Sequence, residues 1–169
     1  MNLSFSEQSL DMKTGTFVLS ILFAVSVAAA EPIVVVVRHA EKAANDPKDP
    51  DLSPTGQARA ETLARMLKDA GVTAIFTSEF KRTQETAAPT SKSTGVVPTV
   101  VPGKDIESLV SKLHQLNGNA LVVGHGDTIP NIIKALGADT QAQIPDNDYT
   151  ELFIVPLGAK PQLLRMHYP

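Results

Sequence analysis

The chain has 169 residues, with 15 lysines and arginines against 18 acidic residues, 4 histidines and no cysteine. This length suits one domain with a tail, and the lack of cysteine excludes disulfides, thiol catalysis, iron–sulfur clusters and cysteine-ligated zinc. A net charge of -3 argues against nucleic acid as a partner, because nucleic-acid binding needs a basic face.

The N-terminal thirty residues have the pattern of a secretory signal peptide. Residues 17–30 carry no charge, follow Lys13 and end in three alanines, which is the order of basic, apolar and small-residue segments in such signals. We predict a signal peptide over residues 1–30, with residues 1–11 a candidate start-site artefact because Met12 is the more natural start. The apolar run is shorter than the roughly 20 residues of a bilayer span, although a retained anchor is the alternative. Cleavage after Ala30 would place one domain, 31–169, in the periplasm or outside the cell without stable membrane insertion.

After residue 30, apolar β-branched runs alternate with amphipathic segments. Strands are predicted at residues 33–37, 73–77, 96–101 and 120–123, with a terminal hairpin over 149–157 and 162–167. Helices are predicted over residues 54–70, 80–92, 105–116 and 128–136, with a loop over 43–53. This alternation predicts an α/β three-layer sandwich with a mostly parallel central sheet flanked by helices. The active site of such a fold lies at the carboxyl ends of its strands.

Two histidines and two arginines fall at those strand ends. Arg38 and His39 follow the first strand, His125 follows the fourth, and Arg82 lies on the first turn of the helix after the second. Two guanidiniums form a clamp for a tetrahedral oxyanion such as phosphate. A neutral imidazole can attack phosphorus, and a second histidine can stabilise the transition state. The set predicts phosphate chemistry without a metal or another cofactor.

Zinc bound by the two histidines and a carboxylate is the alternative reading of the same residues. Arg38 disfavours it, because a cation beside a metal site is electrostatically costly.

Four blocks of the sequence resemble the histidine phosphatase superfamily, which has the phosphoglycerate mutase-like fold. The blocks are residues 38–41, 52–58, 78–87 and 124–130, in the family's order and at compatible spacing. The resemblance implies that His39 is the nucleophile that becomes phosphorylated, and that Arg38, Arg82 and His125 complete the phosphate pocket. It also suggests Asn45 as a phosphate-binding residue, because many members carry an asparagine after the signature. Glu41 matches the signature and is expected to orient its neighbours.

The sequence departs from the larger family members where they carry an acidic proton donor. Only residues 83–104 separate Arg82 from the next helix, so the insert that holds this acid is essentially missing. Asp105 and Asp127 are equally ranked candidates for the proton donor, although either could instead cap the helix that follows it. The short architecture resembles compact members of the family, among them phosphohistidine phosphatases and secreted proteins.

Two functions from different classes follow from these residues. The first is a metal-independent phosphomonoester hydrolase that forms a phosphohistidine and acts on a small phosphorylated substrate or a phosphorylated side chain. The second is a non-catalytic phosphate- or phosphoglycan-binding module of the same fold. Neither function assigns a role to His114 or His167.

Overall fold

The computed structural model describes residues 31–138, 143–159 and 161–169. Its strands are Ile33–Arg38 (β1), Val72–Thr77 (β2), Thr99–Val100 (β3), Asn119–Gly124 (β4), Glu151–Pro156 (β5) and Leu164–His167 (β6). Its helices are Pro54–Leu67 (α1), Lys81–Thr94 (α2), Ile106–Leu113 (α3) and Ile129–Ala135 (α4). The predicted signal peptide lies outside the described residues. Among the described helices, none combines the length and apolar character needed to cross a bilayer.

The six strands form one sheet in the order β3-β2-β4-β1-β5-β6. Strands β1 to β4 pair in parallel, whereas β5 is antiparallel to both β1 and β6. The sheet is therefore mixed and mostly parallel, as predicted. Because β5 runs in the opposite direction, its first residues pair with the last residues of β1, with Leu152 opposite Val37. The segment before β5 thus reaches the same sheet edge as the carboxyl ends of β1 and β4.

Successive strand residues face opposite helical layers. Val35 and Val37 pack in a cluster with residues of α1 and α2, whereas Val34 and Val36 pack in a second cluster with residues of α3 and α4. Both faces of β1 are apolar for this reason, which accounts for its continuous β-branched sequence. The predicted three-layer sandwich is confirmed.

Local signals set most helix boundaries. The Ser53 hydroxyl accepts a hydrogen bond from the Gly56 N–H at the start of α1. Gly137 adopts a φ value of +86° two residues beyond α4, where a side chain would be strained. These features match the predicted start and stop signals.

Two helices end three residues earlier than predicted. The prediction for α1 ran to residue 70, but the Ala70 N–H bonds to the Leu67 carbonyl, so the chain tightens into a turn after Leu67. The prediction for α3 ran to residue 116, but the Leu116 N–H bonds to the Leu113 carbonyl in the same way. Such bonds between residues three apart end an α-helix while still satisfying its last carbonyls. The third strand is also shorter than predicted, with two residues in place of 96–101.

Candidate active site

A pocket of about 730 Å³ opens at the carboxyl edge of the sheet, and we call it the strand-end pocket. Five of the residues singled out from the sequence line it: Arg38, His39, Arg82, His125 and Asp127. The others that line it are Lys42, Glu79, Phe80, Pro102, Gly103, Lys104, Gly126, Thr128 and Asp146. The parallel strands therefore bring the predicted histidines and arginines together.

His39 is buried, with 4 % of its surface exposed, and is fixed by its backbone and its ring. Its N–H donates to the Gly124 carbonyl at 3.0 Å, which ties the end of β1 to β4. Its ring Nδ1 lies 2.8 Å from the Ala40 carbonyl oxygen. Because a carbonyl can only accept, this contact assigns the ring proton to Nδ1 and leaves the lone pair on Nε2.

The surroundings of His39 keep its imidazole neutral. Burial lowers the pKa of His39 to about 3, and the positive charges of Arg82 and Arg38 act in the same direction, as does His125. The Ala40 carbonyl opposes this shift of the pKa only in part. At neutral pH the ring therefore presents an unprotonated nitrogen, which is the form that can act as a nucleophile.

Thr86 links the chain after His39 to the start of α2. Its hydroxyl oxygen accepts from the Ala40 N–H at 2.9 Å and its hydrogen goes to the Arg82 carbonyl at 2.7 Å. This bridge fixes the first turn of α2, and with it Arg82, relative to His39.

Arg38 is held by the segment that precedes β5. Its Nη1 donates to the carbonyls of Pro145 at 2.8 Å and Asp148 at 3.1 Å. Its guanidinium carbon lies 4.5 Å from the centre of the Tyr149 ring, within the range of a cation–π contact. Its Nε is buried and has no hydrogen-bond partner among the described residues.

Arg82 has the same unpaired donor. Its guanidinium carbon lies 4.2 Å from the centre of the Phe80 ring, and its Nη1 lies 3.8 Å from Asp49 Oδ1. Its Nε is also buried without a partner in the described part of the chain. Arg38 and Arg82 thus bring two guanidiniums to one pocket, and paired guanidiniums suit a tetrahedral oxyanion.

His125 lies across the pocket from His39, with 5.4 Å between the ring centres. Its Nε2 lies 2.9 Å from the Ser78 hydroxyl, and Phe80 packs edge-on against its ring. Burial lowers the pKa of His125 most, and the positive charge of Arg82 lowers it further, whereas the charges of Asp127 and Glu79 raise it. An anion in the pocket would favour protonation of His125 for the same electrostatic reason.

The carboxylates ranked equally from the sequence occupy different places. Asp127 lines the strand-end pocket, whereas the Asp105 carboxylate accepts from the Ser108 N–H and caps α3. Glu79, which sequence reasoning missed, also lines the pocket, and its carboxylate accepts from the Gly103 N–H at 2.8 Å. Backbone N–H groups lower the pKa of Glu79, so this residue is ionised and serves as an anchor for the 102–104 loop.

The structure places Asn45 outside the set of described residues that line the pocket. Its Nδ2 donates to Asp51 Oδ2 at 2.6 Å, and its Oδ1 accepts from the Asp51 N–H at 3.3 Å. The amide is therefore engaged within the 43–53 loop and is not brought to the arginines.

Glu41 binds the neighbouring helix. Its carboxylate accepts from Arg59 Nη2 at 2.7 Å and Nε at 3.0 Å. Gly56 lets α1 approach the Glu41 backbone, since a Cβ at that position would lie 2.3 Å from the Glu41 carbonyl oxygen. Glu41 thus holds α1 against the residues that follow β1.

In the part of the chain that the structure describes, one group of metal-ligand type lies outside the pocket lining. Asp148, Glu151 and His167 have ligand atoms within 4.8 Å of one another. The guanidinium of Arg165 already pairs with the Glu151 carboxylate. The positive charge that a cation would bring to this cluster is therefore supplied in part by a side chain.

Comparison with known proteins agrees with this geometry. Residues 34–103 match the family model of the histidine phosphatase superfamily (branch 1). This range contains Arg38, His39 and Arg82, and it ends before His125. No curated protein matches the chain.

Solved structures show the fold over nearly the whole described chain. A protein histidine phosphatase SixA complexed with tungstate has a TM-score of 0.67 at 17 % identity, covering 80 % of this chain and 96 % of its own. A mycobacterial glucosyl-3-phosphoglycerate phosphatase complexed with VO3 has a TM-score of 0.61 at 15 % identity, covering 81 % and 98 %. Mycobacterial hydrolase 2 has a TM-score of 0.60 at 15 % identity, covering 82 % and 91 %. The chain therefore has the histidine phosphatase (phosphoglycerate mutase-like) fold, and its residues 34–103 carry the sequence pattern of that superfamily.

Proposed function

We propose that the protein is a metal-independent phosphomonoester hydrolase that works through a phosphohistidine at His39. One observation carries this proposal: the unprotonated Nε2 of buried His39 shares a pocket with Arg38, Arg82 and His125. The tungstate and VO3 complexes of similar folds support it, because both ligands are oxyanions.

In the first step, the lone pair of His39 Nε2 attacks phosphorus and a P–N bond forms as the bond to the leaving oxygen breaks. The hydrogen bond from Nδ1 to the Ala40 carbonyl stabilises the positive charge that develops on the ring. Arg38 and Arg82 neutralise charge on the equatorial oxygens, and His125 donates to them when protonated. Water then attacks phosphorus and gives a proton to the carboxylate that protonated the leaving oxygen, the P–N bond breaks, and phosphate leaves with His39 restored.

The leaving oxygen must also take up a proton. Of the two candidates from the sequence, Asp127 lines the pocket and Asp105 caps a helix, so we assign this role to Asp127. The open pocket suits small phosphorylated substrates or a phosphorylated side chain, with good leaving groups favoured because they need less protonation. We further propose that residues 1–30 direct the enzyme out of the cytoplasm, to the periplasm or the medium.

The test is hydrolysis of an aryl phosphate in excess chelator by the wild-type chain, His39→Ala and the control His114→Ala. His114 is an exposed residue at the end of α3, so its replacement should leave the rate unchanged. We expect His39→Ala to lose at least about a thousandfold in rate, as when other covalent nucleophiles are removed. Full activity in His39→Ala would refute the proposal. Tight binding of orthovanadate without any turnover would instead favour the non-catalytic binding module.

A further inference from the structure

Two buried hydroxyls lie behind His125 and form a chain of hydrogen bonds with it. Ser78 has 4 % and Thr83 has 0 % of its surface exposed. Ser78 Oγ lies 2.9 Å from His125 Nε2 and 2.9 Å from Thr83 Oγ1. Neither Ser78 nor Thr83 is among the described residues that line the strand-end pocket, so Ser78 reaches the site through the His125 ring and Thr83 through Ser78.

The direction of these hydrogen bonds follows from the acceptors around Thr83. Its hydroxyl lies 2.8 Å from the Phe80 carbonyl and 3.2 Å from the Ser78 carbonyl. Because carbonyls can only accept, the single hydroxyl hydrogen of Thr83 goes to one of them. The lone pairs of Thr83 then accept from the Ser78 N–H, at 3.1 Å, and from the Ser78 hydroxyl.

The hydrogen of the Ser78 hydroxyl is thereby committed to Thr83. Ser78 therefore presents an oxygen lone pair to His125, and His125 donates a hydrogen bond to that lone pair from Nε2. Phe80 packs edge-on against the ring, with the two ring planes at 90°, and helps to keep it in this position.

We propose that Ser78 and Thr83 are positioning residues that hold the ring proton of neutral His125 on Nε2. Nδ1 is then the nitrogen that gains the second proton when His125 becomes a cation. The charged groups around the ring are Arg82, Asp127, Glu79 and Arg38. The neutral ring of His39 also lies against it. The value of this arrangement for catalysis rests on the proposed function, in which protonated His125 donates to the transferring phosphoryl group. The location of the proton does not depend on that function.

Thr83 offers a matched pair of variants. Thr83→Ser keeps the hydroxyl, whereas Thr83→Val keeps the branched shape and removes it. Without an acceptor at position 83, the Ser78 hydroxyl is free to donate to His125 Nε2, which drives the ring proton to Nδ1. Thr83→Val should therefore change which nitrogen is protonated, and Thr83→Ser should not.

The experiment is nitrogen-15 NMR of the full chain labelled at histidine, at a pH where His125 is neutral and without substrate. We expect a protonated Nε2 and a bare Nδ1 in the wild type and in Thr83→Ser, and a switched or mixed pattern in Thr83→Val. A bare Nε2 in the wild type would overturn the proposal, and so would a Thr83→Val spectrum identical to the wild type. If Thr83→Val does not fold, Ser78→Ala supplies the test. Loss of the Ser78 acceptor should remove the preference of the ring proton for Nε2, and a proton that stays on Nε2 in this variant would contradict the proposal.

Kinetics add a second measurement. For an aryl phosphate we expect Thr83→Val to lower kcat about tenfold with little change in KM, because the effect is on charge in the transition state. Thr83→Ser should stay within about twofold of the wild type. Equal loss in both variants would indicate a packing role and contradict the proposal. The NMR result stands without turnover, so a failure of the proposed phosphatase activity is distinguishable from a failure of this inference.

Discussion

Burial of a neutral His39 should make the stability of the fold depend on pH. Its pKa is about 3 in the folded chain and 6.5 when the residue is free in solution. Between these values the unfolded chain binds a proton that folded His39 does not, so this contribution to stability is full above pH 6.5 and is lost as the pH falls toward 3. Each pH unit in that window removes about 1.4 kcal/mol. Lowering the pH from about 7 to about 5 should therefore lower the free energy of unfolding by about 2 kcal/mol through this residue.

The perturbation that isolates this effect is His39→Gln, because glutamine does not titrate. Urea unfolding at both pH values gives the free energy of unfolding for the wild type, His39→Gln and the control His114→Gln, whose histidine is exposed. The loss on acidification should be about 2 kcal/mol smaller in His39→Gln than in the other two chains. Titrating groups remote from His39 are common to the wild type and His39→Gln and cancel in the comparison. Parallel losses in the wild type and His39→Gln would refute the reasoning that His39 is held neutral by burial.

Four further substitutions test other parts of the structure. Gly56→Ala places a Cβ 2.3 Å from the Glu41 carbonyl oxygen, and should lower the free energy of urea unfolding by about 1–3 kcal/mol because the helix must shift. Asp105→Ala removes the cap of α3 and should lower that free energy by about 1 kcal/mol while leaving aryl phosphate hydrolysis within about twofold. Arg82→Ala should weaken orthovanadate binding, measured by calorimetry, by at least about tenfold, whereas Asn45→Ala should leave it within about twofold. A larger effect of Asn45→Ala would mean that its amide turns from the loop into the pocket.

The layers of the fold were predictable because their signals are local. A continuous β-branched run such as Val34–Val37 is favourable only where both faces of a strand are buried, and Gly137 marks the end of α4 through its positive φ. The early ends of α1 and α3 were not predictable in the same way. Their apolar spacing continues beyond the last helical residue, and the tightening depends on backbone hydrogen bonds that the side chains do not encode.

The meeting of Arg38, His39, Arg82 and His125 in one pocket was predictable because parallel strands end at a common edge. The groups that hold Arg38 in place were not predictable from the sequence. They are backbone carbonyls 107 and 110 residues further along the chain, which reach Arg38 because β5 runs antiparallel to β1. Every residue has a backbone carbonyl, so the residue type does not indicate this role.

Ser78 and Glu79 show a second limit of sequence reasoning. Both fall within a block that resembles the histidine phosphatase superfamily, yet only the structure shows that one contacts the His125 ring and the other anchors the Gly103 loop.

The central claim is that a phosphoryl group passes through His39, and trapping the covalent intermediate tests it most directly. The full chain would be mixed with a phosphoester that carries labelled phosphorus and a good leaving group, then denatured at alkaline pH, where phosphohistidine survives. We predict label on the peptide that contains His39, stable in alkali and lost in acid, and no label in His39→Ala. Turnover by the wild type without any such label, or equal labelling of His39→Ala, would contradict the account.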